Sequence, residues 1–314
     1  MMIASAPLAV MGQDKAGIIE ANLDRSVNPA EDFYQFATGG WQKNHPLPAA
    51  YSRFGSFDQL QENNNTRVNG ILAGMLKKNY PQGTVEQKLS DFYKLAMDSV
   101  RRNREGVTPV KPILGEMEAA HTLGDLLKVQ RKYGIFAYGV PMGMMFGADE
   151  KNAKMNILNI YQGGLTLGQR EYYLDNDPTT VEIRAAYKQF IVDMFKLFGF
   201  TEQQAEQKRD LILRFETALA LISKSRTELR DVEANYNKMT LKEFEQRYPN
   251  IDLKGLCAAE GVDARYIQEM VVGQPDFLAG LDKLTATQSA DELRAYMEWD
   301  VLTQAANYLS DDVR

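Results

Sequence analysis

The chain has 314 residues, 44% of them hydrophobic and 25% charged, with a net charge of -6 from 36 basic and 42 acidic side chains. That length is enough for one large domain or about two of ordinary size, and the mild acidity argues against a nucleic-acid-binding face. Cys257 is the single cysteine, which excludes an internal disulfide; it reads as a buried small hydrophobe rather than a catalytic thiol.

Residues 1–12 are a short apolar run with small residues, read as the remnant of a secretory signal peptide. The run is too short to span a bilayer, and no other stretch is a membrane-span candidate. Residues 13–31 are polar. Phe33, Phe36 and Ala37 then sit at helical spacing, and Gly39-Gly40 reads as the end of that helix. Pro46 and Pro48 keep the following segment extended.

From Ser56 the apolar residues Phe57, Leu60, Val68, Ile71, Leu72 and Met75 return to helical spacing. A helix is predicted over 88–102 and another over 122–133, the latter capped by Thr122. Alternation over 135–161, with a polar turn at Asp149-Glu150-Lys151-Asn152, predicts a β-hairpin that Gly163-Gly164 ends. Helices are then expected at 180–198, 201–224 and 241–248, and an amphipathic one at 291–308. The fold class is mainly α with one β-hairpin.

Catalytic motifs are absent. Helical zinc peptidases place two histidines four apart around a glutamate, so that both imidazoles face one metal. His45 and His121 stand far apart in other contexts, and each reads as a solvated or capping histidine. No P-loop and no Gly-x-Ser-x-Gly elbow occurs. The acidic pairs Asp149-Glu150 and Asp311-Asp312 read as solvated turns rather than acid–base pairs.

Four phrases are more specific. Residues 27–41 read Val-Asn-Pro-Ala-Glu-Asp-Phe-Tyr-Gln-Phe-Ala-Thr-Gly-Gly-Trp. Pro46-Leu47-Pro48 follows, then Ser-Arg-Phe-Gly-Ser-Phe-Asp-Gln-Leu at 52–60. Residues 162–174 read Gln-Gly-Gly-Leu-Thr-Leu-Gly-Gln-Arg-Glu-Tyr-Tyr-Leu. Last come Glu228-Leu229-Arg230-Asp231 and Tyr236-Asn237-Lys238-Met239-Thr240. In this order, over residues 22–314, they resemble the N-terminal part of the neprilysin and endothelin-converting-enzyme family of zinc metallopeptidases, in its bacterial oligopeptidase O form.

The resemblance implies two mostly helical lobes around a cavity. Residues 13–56 would form an N-terminal arm of the catalytic lobe and 57–233 most of a helical lid lobe, hairpin included. Residues 234–283 would return to the catalytic lobe, and 284–314 would start a second lid segment. Zinc would belong to the full-length parent, with its ligands beyond Arg314 and none bound by this chain. The implied function is the N-terminal segment of a zinc-dependent metalloendopeptidase that hydrolyses short peptides, inactive without its C-terminal catalytic portion. The implied location is extracytoplasmic, periplasmic or secreted, in a bacterium.

By the same resemblance, Arg53 would hold the free C-terminal carboxylate of a peptide, Asp58 would orient Arg53, and Phe57 would form part of the wall. A guanidinium suits that role because its fork meets a carboxylate with two bonds. Gln61 stands where the family often has a second arginine, and Thr38 where animal members have a cysteine. Tyr34, Trp41 and Tyr172-Tyr173 are expected to pack, and Arg230-Asp231 to pair structurally. The alternative is a stand-alone helical peptide-binding or interaction module without catalysis; an ion pair between Arg53 and Asp58 is the plain structural alternative for those two residues.

Overall fold

Helices carry most of the chain in the computed structural model, which describes residues 19–134 and 141–313. The signal-peptide reading of 1–12 and the predicted start of the hairpin at 135–140 lie outside the described residues. Contacts divide the chain into two units, Met1–Met97 and Asp98–Arg314.

In the first unit, a 3-10 turn at Glu20–Asn22 precedes α1 (Phe33–Asn44), α2 (Ser56–Met75) and α3 (Val85–Ala96). Asp32 caps α1 by accepting from the Gln35 N–H at 2.8 Å. The helix does not stop at Gly39-Gly40, as the sequence suggested, but runs on to Asn44. These glycines serve a close approach instead. A Cβ on Gly39 would lie 2.8 Å from the Asp24 Cβ, and one on Gly40 would overlap the Ala21 carbonyl. The Asp24 N–H also donates to the Phe36 carbonyl at 2.8 Å, so the 3-10 segment lies against the helix where side chains are missing. α2 and α3 bury none of their residues, and Phe57 is 86% exposed.

The predicted helix over 88–102 is broken after Ala96, because Asp98 accepts from the Arg101 N–H and caps a new helix, α4 (Ser99–Glu105). The second unit continues with α5 (Lys111–Ala119), α6 (Leu123–Tyr133), β1 (Met142–Asp149), β2 (Asn152–Gln162), α7 (Glu171–Leu174), α8 (Pro178–Leu197) and α9 (Glu202–Ile222). It ends with β3 (Asn237–Thr240), α10 (Leu241–Arg247), α11 (Leu253–Ala259), β4 (Glu269–Val272), α12 (Pro275–Thr287) and α13 (Ala290–Ala305). Thr122 caps α6 as expected, and Thr201 and Thr240 open α9 and α10 with capping boxes.

The hairpin is part of a larger sheet. β1 and β2 pair antiparallel from Met142 opposite Gln162, and the sheet order is β1-β2-β4-β3. β4 runs parallel to β2, with Leu158 opposite Met270 and Ile160 opposite Val272. β3 and β4 have four residues each, too short to show a period in sequence.

Two apolar cores fill this unit. One surrounds Trp299 with Phe195, Ile191, Leu126, Met117 and Leu302. The other lies under the sheet and joins Leu158, Ile160, Phe244, Met270, Phe277 and Leu281. α9 gives Ile212 and Ala220 to the first and Phe215 and Leu219 to the second. α13, expected as an amphipathic helix over 291–308, is buried in succession from Ala295 to Trp299, because both cores meet on it.

Candidate functional site

Arg53 sits in the loop that leads into α2. Asp58, at the third position of that helix, reaches back and accepts from the Gly55 N–H at 2.8 Å, half of a capping-box arrangement. The Arg53–Asp58 ion pair is not formed among the described residues, since the Asp58 carboxylate is turned to the backbone of Gly55. Asp58 thereby fixes the loop that carries Arg53 rather than its guanidinium. Phe57 points into the open. Gln61 donates to Asn65 on its own helix at 2.9 Å.

Tyr34, Thr38, Trp41 and Gln42 share one face of α1 at helical spacing. With Arg53 and Phe54 they line a cavity of about 590 Å³. Trp41 stacks on His45 at 4.5 Å between ring centroids and on Phe54 at 6.2 Å. Tyr51 meets the edge of Phe54 at 5.1 Å. His45 is the C-cap of α1, as its capping reading anticipated, and its Nδ1 lies 2.9 Å from the Trp41 carbonyl oxygen. Trp41 and Tyr34, expected only to pack, stand on the cavity wall. Their spacing on one helical face was visible in the sequence; the wall they form with a loop beyond Pro48 was not.

The phrase at 162–174 builds a buried polar hub in the second unit. The Gln162 side chain donates to the Lys224 carbonyl at 3.0 Å and accepts from the Lys224 N–H at 2.8 Å. Glu216, fully buried on α9, accepts from the Thr166 N–H and hydroxyl at 3.2 and 2.6 Å, from Tyr173 at 3.0 Å and from Tyr187 at 2.8 Å. The Thr166 hydroxyl in turn accepts from the Trp299 indole at 3.0 Å. Burial raises the Glu216 carboxyl above its ordinary range, against the four bonds that favour the charge. Burial likewise raises both tyrosine hydroxyls. With its oxygens bonded to donors from one loop and two helices, Glu216 fixes packing. Its sequence signal was a lone acid in the apolar stretch of α9.

Asp149 is no solvated turn residue. It is buried, accepts from the Tyr236 hydroxyl at 2.8 Å and stands 3.5 Å from the Lys238 ammonium. The Tyr236 bond lowers its pKa, with the Lys151 N–H second. Asp311 accepts from Arg102 and Asn103, each at 2.9 Å, and ties the tail to α4. Asp231 accepts from the Ala234 N–H within its own turn. Cys257 is buried, and burial raises its thiol, as suits a packing role. Among the described residues, no group of three or more His, Cys, Asp or Glu side chains is arranged to hold a metal ion, and none of their helices is long and apolar enough to cross a membrane.

The family model of peptidase family M13 matches residues 29–314. Mouse endothelin-converting enzyme-like 1 is 29% identical over 313 residues, which cover 95% of this chain and 40% of the relative. Human endothelin-converting enzyme 1 is 26% identical, covering 93% and 38%. Among solved structures, the zinc metalloprotease Zmp1 of Mycobacterium tuberculosis, in complex with an inhibitor, superposes with a TM-score of 0.85 at 24% identity, over 94% of this chain and 45% of that one. PepO of Lactobacillus rhamnosis gives 0.76 at 23% identity, over 92% and 45%. The chain thus spans about two fifths of the length of the curated relatives it matches. With the family's phrases in order and its fold in place, the chain belongs to peptidase family M13.

Proposed function

We propose that the chain is the N-terminal segment of a zinc-dependent metalloendopeptidase acting on short peptides outside the cytoplasm of a bacterium. In this reading it supplies the lid and the grip on the substrate's C-terminal carboxylate, and a separate C-terminal catalytic portion supplies the zinc site. The observation that carries the reading is Arg53, an exposed guanidinium beside an aromatic-walled cavity that pairs with no carboxylate among the described residues. A peptide's terminal carboxylate would fill that role with two charge-assisted bonds. Asp58 keeps the loop in place through Gly55, and Phe57 offers an apolar surface nearby.

The lobe assignment of segments 13–56, 57–233, 234–283 and 284–314 stays part of this proposal, with one adjustment. β2 and β4 are hydrogen-bonded neighbours, so β1 and β2 go with 234–283 on the same lobe. Zinc would act by polarising the scissile carbonyl and its water, on residues outside this chain.

The test is a peptidase assay on the product of the complete reading frame and on the 314-residue chain. Cleavage by the former, abolished by a chelator and restored by zinc, with none by the latter, is the expected result. Chelator-insensitive cleavage, or a complete reading frame without a zinc motif, would leave the peptide-binding module as the function.

A further inference from the structure

We propose that the outer edge of β1 is a docking edge for an extended, apolar strand of the protein's own C-terminal portion, so that the sheet is completed by chain beyond Arg314. The inference rests on the reading that such a portion follows. It is carried by the edge itself, by the pocket beside it and by the length of the relatives.

A strand at the rim of a sheet leaves the N–H and C=O of every other residue unpaired, and folded proteins keep such rims short, charged, bulged or covered. The two rims of this sheet differ. β3 has four residues, and its Lys238 is ion-paired with Glu269 at 3.0 Å and Asp149 at 3.5 Å. β1 has eight residues. From Met142 to Ala148 it carries no charge and no proline, and its ladder with β2 stays regular up to Ala148-Asp149. Asp149, its one acid, is buried and turned to Tyr236. Among the described residues, the backbone of 143–148 bonds to β2 alone. Met145 and Phe146 stand 56% and 43% exposed. A rim this long, regular and uncharged is of the kind that folded proteins cover.

Beside the rim, Met144, Met145 and Phe146 join Leu158, Cys257 and Val262 around a pocket of about 260 Å³, with Glu260 as the one charged residue among the described lining. That is below the usual ~300–1,000 Å³ of small-molecule clefts and suits a side chain. Strand addition uses this combination: the backbone ladder supplies affinity, and pockets for alternate side chains supply selection. Methionines, flexible and polarizable, adapt to the entering group. The pocket therefore takes an aliphatic or aromatic side chain, since a charged one would lose its water there.

More than half of each curated relative's length lies outside the matched region. A strand seated on this rim gives up its water along its length, as a core strand does. Covalent continuity spares it the cost of association that a second copy meets. The C-terminal portion would then share a sheet with this chain rather than fold as a separate body.

Hydrogen exchange tests this on the 314-residue chain and on the product of the complete reading frame. The β1 amides bonded to β2 are the internal reference, and the alternate set faces outward. Expected is outward exchange near the intrinsic rate in the 314-residue chain and at least roughly a hundredfold slower in the complete product. Benzoylphenylalanine in place of Met145 is expected to crosslink, on illumination, to an apolar stretch beyond Arg314. Met145→Lys changes an exposed side chain. It is expected to shift the thermal midpoint of the 314-residue chain by under about 2 °C, and to restore fast outward exchange in the complete product. Fast outward exchange in both proteins, with zinc-dependent cleavage by the complete product, would overturn the docking edge and leave the peptidase reading standing. Three other results would also overturn it. Outward protection in the 314-residue chain that rises with its concentration would make the occupant a second copy. Protection of the complete product that appears only with added Ala-Ala-Phe would make it a substrate, and a crosslink to residues before Arg314 would make it this chain itself. A reading frame that ends at Arg314 would overturn the peptidase reading and this proposal together.

Discussion

Replacing Glu216 by leucine tests the buried hub directly. The substitution keeps an apolar stem of similar size and strands the Thr166 N–H, the Tyr173 hydroxyl and the Tyr187 hydroxyl, all inside the fold. Each stranded donor costs roughly 1–3 kcal/mol, so the gross loss is about 3–9 kcal/mol. Removing a desolvated carboxylate returns roughly 2–4 kcal/mol, which from the middle of the gross range, about 6 kcal/mol, leaves a net loss of about 2–4 kcal/mol. For a unit the size of Asp98–Arg314 this lowers the thermal midpoint by about 4–16 °C at 2–4 °C per kcal/mol. The assay is urea and thermal unfolding read by Trp299 emission in a Trp41→Phe background, which isolates the second unit. A double-mutant cycle with Tyr187→Phe then gives the coupling, expected to be at least about 1 kcal/mol for a bond to a charged acceptor. A net loss under about 1 kcal/mol, or a coupling near zero, would refute the claim that Glu216 organises this packing.

The same carboxylate sets a pH dependence. Its folded value is raised by burial, as is that of Glu298, so their stabilising contribution is fully present below the ordinary carboxylate range and is lost as pH rises through the folded values. Asp149 is lowered by its Tyr236 bond and contributes oppositely, its part being lost as pH falls through its folded value. Glu216→Gln is therefore expected to flatten the decline of the second unit's thermal midpoint as pH rises above the ordinary carboxylate range, and an unchanged slope would count against the burial argument. Lys208→Met leaves Glu298 buried without its ammonium partner and is expected to destabilise by about 3–5 kcal/mol in urea unfolding, whereas converting both residues to methionine recovers most of the loss; equal losses for single and double variants would contradict this. Gly40→Ala gains helix propensity of about 1 kcal/mol but drives its Cβ into the Ala21 carbonyl. Exchange of the Asp24 amide is expected to accelerate at least roughly tenfold, and retained protection would show that the close approach is relaxed.

The sequence pattern located most helices within a few residues, and Thr122 as a cap, because both signals are local. Thr122 stands three residues before Asp125, whose N–H it satisfies, and the structure adds the same arrangement at Thr201 and Thr240. It missed α5, α7, α11 and α12, whose apolar residues read as neither a clean stripe nor an alternation. It also merged α3 with α4, since Asp98 interrupts an apolar pattern that continues past it. Of the residues singled out through a family phrase, Arg53 lines the cavity and Phe57 and Asp58 do not, and the orienting contact from Asp58 to Arg53 was not what formed. A carboxylate at the third helical position has a nearer donor in the Gly55 N–H.

By itself, then, the sequence determined helical character, capping, the absence of a zinc-peptidase motif and the phrases of peptidase family M13, all of which are read within short windows. The tertiary structure decided the rest. It placed β4 parallel to β2 across more than a hundred residues of chain and turned Gly39-Gly40 from a helix end into a docking surface. It also buried Glu216 among tyrosines and set Trp41 and His45 into one wall with Phe54. The physical reason is common to these cases: periodicity records which face of a segment is apolar, whereas which segment covers that face is settled only when distant parts of the chain compete to bury it.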